Sequence, residues 1–234
     1  MKLENMQQGR LIKRYKRFLA DIELDNGRQL TVHCPNTGSM KNCADPGSEV
    51  WIQDSGNLKR KYLFGWELVQ VEGQFWACIN TGRANGLIRE AIENGVIDEL
   101  QGYDSIRQEV KYGDENSRID LFLEDAQRPS CYVEIKNVTL LEQQGVGAFP
   151  DAVTTRGAKH LRELMLMVER GHRSVLVFCV PHTGIEQVHP ADHIDPEYGQ
   201  LLREAVLAGV EVYAYGAKIT PQEVTISHPL PLHL

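Results

Sequence analysis

The feature that most constrains this chain is a change of pattern near residue 82. Before it, short apolar runs are separated by turn signals. "RLIKRYKRFLADIEL" passes through "DNG" into "RQLTVHC", "ADPG" precedes "SEVWI", and "KYLFGWELVQV" returns through "EGQ" to "FWACIN". Tight polar turns of this kind join antiparallel strands. Five short strands in about eighty residues predict a small closed or nearly closed barrel, with an OB-like fold as the leading case.

After the break, helical and extended segments alternate. "ANGLIREAIENGVI" places Leu87, Ile88, Ala91 and Ile92 on one helical stripe. Three strands follow, "SIRQEVKY", "SRIDLFLE" and "CYVEIKNVTL", then a helix through "TTRGAKHLRELMLMVERG" expected to bury Leu161, Leu164, Met165 and Val168. "SVLVFCV" has the continuous apolar run of a strand covered on both faces. "DPEYGQLLREAVLAG" adds a third helix and "VEVYAYGAKI" a last strand, and "SHPLPLHL" is expected to wrap the surface. The order α-β-β-β-α-β-α-β predicts a mixed central sheet with helices on its faces. The expected organisation is therefore α+β: a barrel over residues 1–81 and an α/β domain over 82–234.

No apolar run is long enough to cross a membrane as a helix, and the first residues, "MKLENMQQGRLIKRYKRF", lack the apolar stretch of a secretory signal. Five cysteines, Cys34, Cys43, Cys78, Cys131 and Cys179, are odd in number and mostly far apart, which fits reduced thiols in a cytoplasmic protein. His33 with Cys34 and Cys43 raises zinc as an alternative, but no paired C-x-x-C supports it. The net charge of −7 argues against a general nucleic-acid binder, yet it is unevenly spread. Residues 1–62 carry 11 Lys and Arg against 7 Asp and Glu, whereas the remainder carries 14 against 25. A basic beginning on an acidic chain points to a local polyanion-binding surface.

The chemistry concentrates in "RIDLFLEDAQRPSCYVEIKNV". Alternation puts Asp120 and Phe122 on one face and Ile119, Leu121 and Leu123 on the other, while Tyr132, Glu134 and Lys136 share a face of the next strand. A turn centred on Gln127 pairs Asp120 with Glu134, with Cβ atoms about 5 Å apart. Two carboxylates so placed need a cation, and Mg²⁺ or Mn²⁺ suits oxygen ligands. Lys136, about 7 Å along the strand from Glu134, can stabilise charge on a phosphate. This is the (P)D-x(n)-(D/E)-x-K pattern of restriction-endonuclease-like nucleases, with Ile119 at the position where proline often precedes the first acid. Glu109-Val110-Lys111 is a second E-x-K in the wrong order, and an exposed hairpin carrying charges would look similar.

Glu90 is a further candidate acid, acting through water. Arg156, Lys159 and His160, in the first turns of a helix, are candidates for phosphate contact. "LLEQQGVGAFPDAV" (140–153) has the glycines of a flap over the site. In the barrel, "KRYKRF" (Lys13, Arg14, Lys16, Arg17) and "KRKY" (Lys59, Arg60, Lys61) interleave cations with aromatics, as single-strand-binding barrels do. Asn36, Thr37 and Ser39 in "HCPNTGSM" can either bond phosphate or cap a turn.

"YKRFLAD", "HCPNTGSM", "KRKY", "EVKYG", "SRID", "EIK" and "RGAKHLREL", in this order, closely resemble the sugar fermentation stimulation protein A (SfsA) family of bacteria and archaea. The resemblance covers nearly the whole chain. It implies an OB-like barrel followed by a nuclease-like domain, and a DNA-binding protein linked to regulation of sugar (maltose) use. The superfamily motif maps onto Asp120, Glu134 and Lys136. Three readings follow: a DNA binder with little base discrimination and a Mg²⁺-dependent endonuclease site, a non-catalytic transcription-associated DNA binder that keeps the fold, and an enzyme acting on another phosphate-bearing substrate. No membrane partner is expected, and the oligomeric state is left open, a homodimer included.

Overall fold

The computed structural model describes residues 1–143 and 145–234. The first strand, β1 (Met6–Tyr15), turns at Lys16 and Arg17, both at positive φ, into β2 (Leu19–Leu24). The stretch read as one long strand is therefore two, and its basic cluster forms the turn between them. β3 (Gln29–His33), β4 (Glu49–Asp54), β5 (Phe64–Val71) and β6 (Phe75–Cys78) complete a sheet ordered β3-β2-β1-β4-β5-β6. A parallel pairing of His33 with Gly65 joins β3 to β5 and closes the first five strands into the expected OB-like barrel. Its core holds Leu11, Ile22, Val32, Ile52 and Trp66, all nearly inaccessible.

The second part begins with a 3₁₀ turn and α1 (Ala84–Glu93). Asn80 caps the turn by accepting from the Gly82 N–H, and its amide donates to buried Glu67 at 2.8 Å. Arg83 donates to the same carboxylate, so the start of α1 is tied to the barrel. β7 (Ser105–Tyr112), β8 (Ser117–Glu124) and β9 (Cys131–Asn137) follow. β10 (Leu140–Gln143) and β11 (Gly145–Phe149) form a hairpin, and α2 (Thr155–Glu169) leads to β12 (Arg173–Val180) and β13 (Ile185–Pro190). The chain ends with α3 (Pro196–Leu207), β14 (Glu211–Thr220) and β15 (Glu223–Pro229). The main sheet is ordered β15-β14-β12-β9-β8-β7, with β9, β12 and β14 parallel and the outer strands antiparallel, as the mixed-sheet expectation requires.

Alternation along β12 shows how the layers form. Val175, Val177 and Cys179 pack with Leu87, Ile88 and Ala91 of α1, while Leu176, Phe178 and Val180 pack with Leu161 and Leu164 of α2 and Leu202 of α3. Three sequence expectations change here. Met167 is the buried methionine of α2, with Met165 and Val168 only partly covered. The C-terminal segment expected to wrap the surface supplies the end of β15 before Leu232 bridges to Val188. The 140–153 stretch, expected as a loose flap, is largely ordered strand: β10 and β11 join β13 in a separate three-stranded sheet, and Gln144 lies outside the described residues.

Candidate metal and nucleic-acid site

The pairing inferred for β8 and β9 holds as far as Leu121 opposite Val133. At the next position the ladder stops. The N–H of Ile135 donates to Asp120 Oδ2 at 2.8 Å instead of to a β8 carbonyl, and Asn85 of α1 donates to Oδ1 at 2.9 Å. On the other side of β8, Glu109 has φ +56° and the Glu109–Asp120 pair is missing from the β7–β8 ladder. The faces exchange across this point. Ile119 and Val110 pack on the α2 side, whereas Ile106, Leu121 and Leu123 pack on the α1 side. The expectation that Ile119, Leu121 and Leu123 share one face is therefore corrected, because regular alternation does not survive a left-handed residue in the adjoining strand.

Glu134 is 2% exposed. Its Oε1 accepts from Lys136 Nζ at 2.6 Å and contacts His160 Nδ1 of α2, while its buried Oε2 has no partner. Arg156 Nε donates to His160 Nε2 at 3.4 Å. With Nε2 accepting, the ring proton sits on Nδ1 and is donated to Glu134. The approach of Lys136 to that same nitrogen is then proximity, not a hydrogen bond. Burial pushes the Glu134 carboxyl up, but Lys136 and His160 outweigh it and hold the group below its ordinary value. Asp120 is shifted the other way. Burial and then the Glu134 charge raise it, against the opposing pull of the Ile135 N–H, Asn85 and Lys136. One acid is held ionised, and the other carries a cost that a cation would relieve.

Several further candidates take different places. Glu90 lies elsewhere on α1, where its carboxylate meets the Met1 ammonium at 2.8 Å; Asn85 is the α1 residue that reaches the acids. His160 is buried against Glu134 and not displayed on the surface. Arg14 is a scaffold: its guanidinium donates to the carbonyls of Arg17, Asn36 and Gly38 at 2.8 to 3.0 Å, binding the β1–β2 turn to the 36–39 loop. Lys13 leans on Asp21 at 3.6 Å, an exposed pair of little strength. Lys16, Arg17, Lys59, Arg60 and Lys61 are exposed on the barrel, and Arg60, Lys61 and Tyr62 line a hollow of about 450 Å³. Arg156 is exposed, and Lys159 is partly covered. Cys34 and Cys43 are buried free thiols, Cys43 pushed up to about 12 chiefly by burial, while His33 points to solvent; zinc is not supported.

The barrel also reaches the site. A cavity of about 290 Å³ lies between the 36–38 loop, Asn85, Lys136 and the β10–β11 hairpin. Ser39 donates to Asp151 from its N–H at 2.7 Å and from its hydroxyl at 3.1 Å, and Asn42 donates to the Leu141 carbonyl at 2.6 Å. Gly38 is needed here because a Cβ would run into the Asp151 carboxylate. Asn85 and Asp151 were not singled out by sequence reasoning. The polar "HCPNTGSM" loop was, and it is this loop that meets Asp151.

Among the described residues, no group of three or more His, Cys, Asp or Glu side chains converges as a ready metal cage. Two acids are present, one with an orphaned buried oxygen and the other with a single donor on each oxygen. That donor set fits a hard ion that takes its remaining ligands from backbone carbonyls and water.

An OB-like barrel joined to a layered α/β domain, with acids and a lysine on adjacent strands beneath the junction, defines a particular two-domain class. Family models for the "SfsA N-terminal OB domain" and the "Sugar fermentation stimulation protein RE domain" match residues 12–79 and 82–223. A sugar fermentation stimulation protein homolog of Shewanella sp. (strain ANA-3) is 57% identical over 98% of this chain and 97% of its own. That of Shewanella frigidimarina is 60% identical over 93% and 92%. The chain belongs to the sugar fermentation stimulation protein family. A solved structure, Pyrococcus furiosus SfsA in complex with Ca²⁺, superposes with a TM-score of 0.88 at 24% identity, covering 100% of this chain and 98% of that one.

Proposed function

We propose that this protein binds DNA and hydrolyses its phosphodiester bonds at a divalent-metal site formed by Asp120 and Glu134. The observation that carries the reading is the buried Glu134 carboxylate, one oxygen held by Lys136 and His160 and the other unpartnered, beside the half-buried Asp120. Asp120 and Glu134 hold Mg²⁺ or Mn²⁺, and such an ion, when bound, lowers the pKa of water and offsets phosphate charge. Lys136 places an ammonium where charge develops on the transferred phosphoryl group, and His160 fixes the Glu134 carboxylate through its Nδ1–H. The exposed cations Lys16, Arg17, Lys59, Arg60 and Lys61 supply a backbone grip with little sequence preference and a steep salt dependence. The Pyrococcus relative's Ca²⁺ belongs to the same class of hard ion. By family, this activity would serve regulation of sugar use.

Lys136 already neutralises Glu134 within the chain, which favours a second reading: a DNA binder that retains the site without turnover. Purified protein with Mg²⁺ or Mn²⁺ and plasmid DNA separates the two. Metal-dependent nicking that is lost in Glu134→Gln supports hydrolysis. DNA binding without nicking, or nicking undiminished in that variant, refutes it.

A further inference from the structure

The misordered Glu109-x-Lys111 lies beside a second cavity, of about 470 Å³, on the α2 side of the sheet. Lys111 and Arg118 enter it from β7 and β8, and Arg156 and Lys159 from the first turns of α2. Arg118 is held by the Glu109 carbonyl at 2.8 Å and Lys159 by the Glu115 carbonyl at 2.6 Å. Neither bond removes charge, and among the described residues none of the four cations pairs with a carboxylate. The start of α2 adds positive partial charge to the same space. Ser117, only 4% exposed, also lines the cavity, and its buried hydroxyl has no hydrogen-bond partner. A buried hydroxyl is rarely left unpaired, so this one points to a ligand oxygen. His160 forms the remaining wall, and its other nitrogen meets Glu134.

We infer that this cavity is a phosphate-binding subsite that takes a backbone phosphate of a nucleic-acid strand passing the Glu134 site. The inference rests on the DNA reading above and deepens it. Lys111 and Arg118 supply the charge, the Ser117 hydroxyl donates to a phosphate oxygen, and Glu109 on the rim opposes binding. His160 sets the spacing, since one imidazole touches both the subsite and the acid.

The test uses the full chain in EDTA, so that binding is read without cleavage. Affinity for a short duplex is measured by fluorescence anisotropy from 50 to 200 mM salt, and inorganic phosphate is titrated by thermal shift. In Lys111→Gln/Arg118→Gln, duplex binding weakens about tenfold and the slope of log K against log salt becomes shallower by about 1. Glu109→Gln changes affinity in the opposite direction. Ser117→Ala, which removes an unsatisfied group, melts no lower than wild type but loses part of the phosphate-induced shift. Wild-type slope and phosphate response in the double variant overturn the subsite. A lost phosphate response with an unchanged duplex slope overturns its assignment to a strand. Failure of the metal reading is seen separately: no nicking with Mg²⁺ or Mn²⁺, while the double variant still alters the slope, removes the hydrolase and leaves the subsite standing.

Discussion

Lys136→Met tests whether the buried cluster is held for function or for stability. Lys136 is 12% exposed at its side chain and Glu134 2%, so the variant leaves a carboxylate in the interior with only the His160 N–H as a partner. Removing one member of a buried ion pair costs about 3 to 5 kcal/mol, and the partial exposure of Lys136 favours about 3. For a chain of 234 residues that corresponds to a loss of about 6–12 °C in Tm. The cost must depend on pH. In the wild type Glu134 is held below its ordinary value, so its contribution is present above the unfolded-state pKa and fades as acid protonates the folded group. In the variant burial dominates and Glu134 shifts upward, so stability is retained in acid and lost as pH rises through the new folded pKa. The gap between the two proteins is therefore small near pH 4 and widest at neutral pH. Adding Glu134→Gln to Lys136→Met removes the stranded charge and returns most of the loss. Urea unfolding without divalent ions, over that pH range, measures all three proteins. A Lys136→Met protein as stable as wild type at pH 7, or a loss that grows toward acid, refutes the reasoning.

Arg14→Ala loses three charge-assisted bonds to backbone carbonyls and is expected to lower stability by about 2 to 4 kcal/mol in thermal unfolding, whereas Lys16→Ala/Arg17→Ala stays within about 0.5 kcal/mol and weakens DNA binding instead. Equal stability in the two variants would return Arg14 to the surface group. Buried His182 is pushed down from 6.5 to about 4, chiefly by burial. Its stabilising contribution is complete above pH 6.5 and about 3 kcal/mol of it is lost by pH 4, so His182→Asn, keeping an acceptor for the Gly184 N–H, should flatten the acid limb of the stability curve. An unchanged acid limb would count against this.

Legibility varied with how local the determining physics was. The barrel, the three helices and the β8–β9 register follow from turn residues and apolar periodicity, which act over a few positions. The register that places Leu121 opposite Val133 follows from the centre of one turn at Gln127. Asn85, Asp151 and the capture of Glu90 by Met1 depend on where α1, the β10–β11 hairpin and the first residues dock, and no local pattern encodes docking. Arg14 misled for a related reason: a basic residue among basic residues reads as surface until three carbonyls are found around it.

The exchange of faces at Asp120 shows why the site stands where it does. A regular β8–β9 ladder would spend the Ile135 N–H on a β8 carbonyl and leave Asp120 without that donor. Glu109 in the left-handed region, costly for a residue with a side chain, ends the regular pattern of β7 beside this point, and the Asp120 carboxylate takes the Ile135 N–H instead. The strand pair thus opens beside Glu134, giving Asp120 a donor to each oxygen from β9 and α1 without a cation to neutralise it. Such an arrangement gives up ladder hydrogen bonds and accepts backbone strain to bring a buried and a half-buried carboxylate together. An apolar pair in a continuous ladder would be the more stable solution, and the metal site proposed above is the function that the acids and the broken ladder would serve.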